Sequence, residues 1–107
     1  MIIVRMVLNV LPEKRLELTQ MLLSMVEPTG KETGCLYNGI FCDIKDNNCF
    51  NLLEKWETRA DLNHHFGSHR FGVLLGSKSL LCKPLEISFY SVSKIEGMEV
   101  INAVRNQ

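Results

Sequence analysis

Glu54, His65 and Arg70 can each hold or move a proton or a charge, and they lie close together in the chain, either side of Trp56. A histidine near its usual pKa of about 6.5 can take a proton from a bound hydroxyl, or donate to a developing oxyanion, at neutral pH. An arginine can hold an oxyanion by charge-assisted hydrogen bonds, and Arg5 is a second cation within reach of a pocket. By period-two alternation Glu54 shares a strand face with Phe50, Leu52 and Trp56. A carboxylate on so apolar a face needs a partner: either it pairs with a cation, or it is an acid-base group whose pKa burial raises. Asn38 and Asn9 bring strand amides that can orient a bound hydroxyl or cover a sheet edge. Trp56 is either a flat wall for an aromatic ring or a large core side chain.

His64, His65 and His69 raise a metal reading, since residues four apart share a helix face. Asp61 and Cys82 are the candidates for a third ligand, neither at a convincing spacing, so no metal site is expected. Cys35, Cys42, Cys49 and Cys82 form no Cys-x-x-Cys pair and read as reduced small hydrophobes.

The elements that must position these groups are legible from periodicity. Residues 2 to 10 are apolar apart from Arg5 and Asn9, which predicts a mostly buried strand. Leu11, Arg15, Leu18, Leu22 and Met25 recur at helical spacing after Pro12, and the helix is expected to stop before Pro28. Two strands, 35 to 43 and 49 to 57, flank a turn at Lys45-Asp46-Asn47-Asn48. Thr58 and Asp61 form a capping box for a helix through Phe66, and a second short helix from His69 carries Phe71, Leu74 and Leu75 on one side. Pro84 precedes a last strand from Leu85 to Ser93.

The order βαββαβ packs most simply as an α+β fold, a four-stranded antiparallel sheet covered on one face by helices. Its other face invites a second copy, so a homodimer is expected. Residues 1 to 94 form a single domain, and the tail from 95 to 107 holds Val100, Ile101 and Val104, enough to lie on a partner subunit. With twelve basic residues against twelve acidic ones, no field draws nucleic acid. No run of about 20 apolar residues spans a bilayer, and the protein is expected to be soluble and cytoplasmic.

The run Glu32-Thr33-Gly34-Cys35-Leu36, the strand end Glu54-Lys55-Trp56-Glu57, and the spacing of Leu62, His65, Ser68 and Phe71 resemble the antibiotic biosynthesis monooxygenase family over residues 2 to 93. The resemblance implies a dimeric α+β barrel of ferredoxin-like subunits. It also implies oxidation of a small hydroquinone or polyphenol by molecular oxygen to a quinone, without flavin, haem or metal. In that reading His65 or Glu54 is the base, aided by Arg70 or Asn38, and Trp56, Phe66 and Phe71 wall a hollow between sheet and helices, with Arg5 and Asn9 contacting substrate.

Two departures stand out. Asn38 occupies the place of a usual tyrosine, with Tyr37 one position earlier, and Ser68-His69-Arg70-Phe71 replaces Ser-Pro-His-Phe. The haem-degrading branch has a similar tryptophan but a histidine ligand after the Phe; here no histidine lies between Phe71 and Pro84, and Asn9 is out of register. A third option is a dimeric binding domain with its pocket filled by side chains.

Overall fold

The computed structural model describes residues 1–107. Four antiparallel strands, β1 (Ile2–Asn9), β2 (Cys35–Cys42), β3 (Cys49–Trp56) and β4 (Glu86–Ser91), lie side by side in the order β2-β3-β1-β4. The helices are α1 (Arg15–Gly30), α2 (Arg59–Phe66), α3 (His69–Gly76) and α4 (Met98–Arg105). The first three cover one sheet face, giving the expected ferredoxin-like α+β architecture, with the second helical layer broken in two at Gly67 and Ser68.

Alternation decides which side chains meet the helices. Val4, Met6 and Leu8 of β1 pair with Glu54, Leu52 and Phe50 of β3, and all six point into the core. From α1 come Leu18, Leu22, Met25 and Thr29, and from the shorter helices Leu62, Phe71 and Leu74. Leu75, expected on the same face as Phe71 and Leu74, is 52% exposed. At 3.6 residues per turn it lies about 100° round the helix from Leu74, away from the core.

Helix α1 does not stop before Pro28 but runs through it to Gly30. The lost backbone bond is the one to Ser24, which is exposed and can hydrogen-bond to water, while the extra turn buries Thr29 in line with Leu22 and Met25. A bulge at Leu36 changes the phase of β2: Cys35 pairs with Trp56, and after it Asn38, rather than Tyr37, comes opposite Glu54. Gly34, with φ +82°, makes the turn into this strand. A Cβ there would run into the Asp61 side chain, and the left-handed backbone itself favours glycine.

The sequence pattern did not foretell α4, whose eight residues are all exposed. The molecule measures 51 Å on its longest axis and has a radius of gyration of 16.0 Å, against about 13 Å for a compact domain of this length. No helix is long and apolar enough to cross a membrane.

Candidate functional site

Four charged side chains from four different segments converge under α2 and α3. Thr58 caps α2 by accepting from the Asp61 amide and Ser68 caps α3 by accepting from the Phe71 amide, which fixes the facing of both short helices. His65, 1% exposed, then packs tilted by 30° over Trp56, ring centroids 4.7 Å apart, with Phe71 edge-on at 5.4 Å. Its Nδ1 is 2.8 Å from Glu32 Oε2 and its Nε2 is 3.5 Å from Glu54 Oε2. Arg70 Nη1 donates to the same Glu32 oxygen at 2.9 Å, and Trp56 Nε1 donates to Glu54 Oε1 at 3.1 Å.

Both ring nitrogens of His65 therefore face carboxylate oxygens. A neutral imidazole carries only one N–H and would present a lone pair to the other carboxylate, whereas the imidazolium turns an N–H toward each, hydrogen-bonding to Glu32 and forming a longer ion-pair contact with Glu54. Two carboxylates against one imidazolium and one guanidinium also leave the buried group neutral overall, as burial in a poorly polarisable interior requires. Burial opposes charge on the ring, but the hydrogen bond and charge of Glu54, followed by those of Glu32, outweigh it and raise the His65 pKa. Beside them the Cys35 thiol is pushed up too, by burial and then by the negative charges of Glu54 and Glu32.

The sign of the consequence follows by linkage. A histidine whose pKa is raised on folding contributes stability in full below its unfolded value of about 6.5, and this contribution is lost as the pH rises through the folded value. Urea midpoints are accordingly expected to fall from about pH 6.5 upward, and His65→Gln is expected to flatten that slope. A slope unchanged in the variant would contradict the assignment.

The expected hollow between β3 and the helices is absent around His65. Trp56 is 0% and Phe71 5% exposed, and the rings of Trp56, His65, Phe66 and Phe71 fill that space, because consecutive aromatic contacts of about 5 Å leave no gap. The open space lies on the other side of Glu54, between α1 and strands β2 and β3. Leu22, Met25, Val26, Ile40 and Leu52 line it with Thr29, Asn38 and Glu54. The cavity in this cleft has a volume of about 10 Å³, room for about one water. Asn38 Nδ2 donates to the Val26 carbonyl at 2.8 Å and ties β2 to the last turns of α1.

The fold thus brings Glu54, His65, Trp56 and Phe71 together, with Glu54 and Asn38 on the cleft. Arg70 is one-third exposed and turned onto Glu32, beside a separate surface groove between α1 and α3. Arg5 and Asn9 are corrections: the alternation that buries Val4, Met6 and Leu8 sends both to the opposite sheet face, where Arg5 bonds to Asn51. His64 and His69 are exposed, and no three His, Cys, Asp or Glu side chains gather closely enough to hold a metal ion. Sequence reasoning missed Glu32. The signal was present: Glu32 lies two before the glycine turn that opens β2, whose first residue, Cys35, pairs with Trp56, the ring that packs against His65.

The fold has close counterparts among solved structures. A Deinococcus radiodurans protein provisionally described as an antibiotic biosynthesis monooxygenase superposes with a TM-score of 0.84 at 22% identity, covering 91% of this chain and 97% of its own. YcnE of Bacillus subtilis (strain 168), provisionally named a monooxygenase, is 32% identical over 88 residues, 81% of this chain and 93% of YcnE. The protein sll1783 of Synechocystis is 31% identical over 92 residues, 85% of this chain; the match spans 63% of that relative's length. The family model described as antibiotic biosynthesis monooxygenase matches residues 1–74, which hold β1 to β3 and the whole Glu32, Glu54, His65 and Arg70 cluster. The chain belongs to the antibiotic biosynthesis monooxygenase family.

Proposed function

We propose that the protein is a cofactor-independent monooxygenase that oxidises a small phenol or hydroquinone with molecular oxygen. The observation that carries this reading is Glu54: a carboxylate 4% exposed, held by Trp56 and His65, on the wall of an otherwise apolar cleft. A phenol ionises near pH 10 in water, so turnover at neutral pH needs a base. Glu54 takes the phenolic proton while the adjacent imidazolium stabilises the anion that forms. The phenolate then reduces oxygen. With a phenol, one oxygen atom becomes the new quinone carbonyl and the other leaves as water with the phenolic and ring-carbon hydrogens. With a hydroquinone, whose own two oxygens become the carbonyls, the inserted atom is the hydroxyl of a hydroxyquinone and the other again leaves as water with two substrate hydrogens. Asn38 orients the substrate oxygen, and entry of a ring requires its bond to Val26 to open, since the closed cleft admits only a water-sized guest.

Oxygen uptake by the purified protein with a panel of hydroquinones tests this. Consumption above the uncatalysed rate is expected for at least one member, whereas saturable binding without uptake supports a second reading, a non-catalytic binding domain. The filled space around Trp56 and His65 is the observation favouring that alternative.

The working unit is a homodimer, with the 95–107 tail lying on the partner. An isolated helix as short as α4 is unstable in water, and its exposed Met98, Val100, Ile101 and Val104 need cover. On the outer sheet face Tyr37, Phe41 and Tyr90 are exposed as well. Light scattering is expected to give twice 12.2 kDa; a mass of one chain would overturn the dimer.

A further inference from the structure

We propose that Glu32 is a positioning residue for the cleft, the outer anchor of a continuous line Arg70, Glu32, His65, Glu54 that fixes the imidazole with its Nε2–H directed at Glu54. The inference rests on the reading of Glu54 as the cleft base. Neither ring contact alone would set the imidazole's state, but the two together do, because each nitrogen has a carboxylate oxygen in front of it. The packing leaves the ring little freedom to turn: Trp56 lies under one face at 4.7 Å and Phe71 stands against its edge at 5.4 Å.

Glu32 is itself fixed. It sits in the turn after α1, its amide donating to the Thr29 carbonyl at 3.1 Å and its carbonyl accepting from Cys35 at 3.1 Å. Arg70 of α3 grips the Oε2 atom that receives the ring proton. The charged or titratable groups near the ring are thus Glu32 from the turn, Glu54 from β3, Arg70 from α3 and the Cys35 thiol from β2, and no others take part in the chain of contacts. Removing the Glu32 charge leaves one carboxylate to hold the imidazolium, so the ring more readily sheds the proton that faces outward. The Glu54 carboxylate then faces less positive charge, although Glu32 never approaches the cleft.

Glu32→Gln separates this role from a merely structural one, since the amide oxygen still accepts the Nδ1–H bond while the charge is gone. The readout is the ring-nitrogen signals of His65 in the intact, nitrogen-15-labelled protein, with the exposed His64 and His69 as internal references. In the native protein both His65 nitrogens are expected to carry protons at pH 7, and its titration midpoint to lie above those of the other two. In Glu32→Gln the midpoint is expected to drop by at least tenfold in proton affinity, Glu32→Asp to recover part of it, and the pH profile of kcat/KM to move the same way with KM little changed. A bare ring nitrogen in the native protein at pH 7, or a midpoint indifferent to Glu32→Gln, overturns the proposal. Because the ring signals need no substrate, they fail or succeed independently of oxygen uptake, and the native spectrum decides the matter even if Glu32→Gln does not fold.

Discussion

Glu54→Gln is expected to lower kcat/KM for hydroquinone oxidation by about 10²- to 10⁴-fold, the usual range for loss of a general base. The substitution is close to isosteric, and the amide oxygen can still accept from Trp56 Nε1, so the tryptophan keeps its partner. What disappears is the negative charge on the cleft wall and with it the proton acceptor. The fold should survive at some cost in stability, because His65 then retains only Glu32 as a counter-ion. Rates at high pH separate the roles: a substrate already ionised in solution needs no base, so the deficit should shrink as the pH approaches about 10. Steady-state kinetics across pH check this, and a variant within threefold of native at neutral pH would remove Glu54 from the mechanism.

Trp56→Ala is expected to cost about 3–5 kcal/mol of stability, the range for a fully buried large aromatic. Two losses combine: the indole is 0% exposed and forms the floor beneath His65, and its N–H is a hydrogen-bond donor to the buried Glu54. Trp56→Phe divides them. Phenylalanine restores most of the apolar contact but leaves Glu54 Oε1 without its donor, a penalty of about 1–3 kcal/mol. Urea denaturation should rank native above Trp56→Phe above Trp56→Ala. Equal stability of Trp56→Phe and native would show that the indole hydrogen bond contributes nothing net.

Strand and helix positions were readable because each carries a period, and the alternation Phe50, Leu52, Glu54, Trp56 correctly placed an acid on the buried face. The same rule, applied to β1, was enough to exclude Arg5 and Asn9 from the helical side once Val4, Met6 and Leu8 were recognised as core. Other features depend on contacts that no local pattern encodes. The proline rule ended α1 too early because burial of Thr29 outweighs one backbone bond lost at a solvent-facing carbonyl. The Leu36 bulge is invisible in a run of strand-forming residues, yet it decides that Asn38 looks into the cleft. Glu32 was passed over since it lies 33 residues from His65, and only the turn at Gly34 brings them together. The location of the cleft was also out of reach: whether aromatic rings line a hollow or fill it depends on centroid distances, and here they fill it.

Oxygen-18 labelling tests the central claim most directly. Protein freed of metals and flavin, given a hydroquinone that supports oxygen uptake and an atmosphere of ¹⁸O₂, should yield a quinone carrying one heavy oxygen atom, with the second recovered as water and the rate strongly reduced in Glu54→Gln. A quinone without label, accompanied by hydrogen peroxide, or labelled product formed equally fast by the variant, would contradict it.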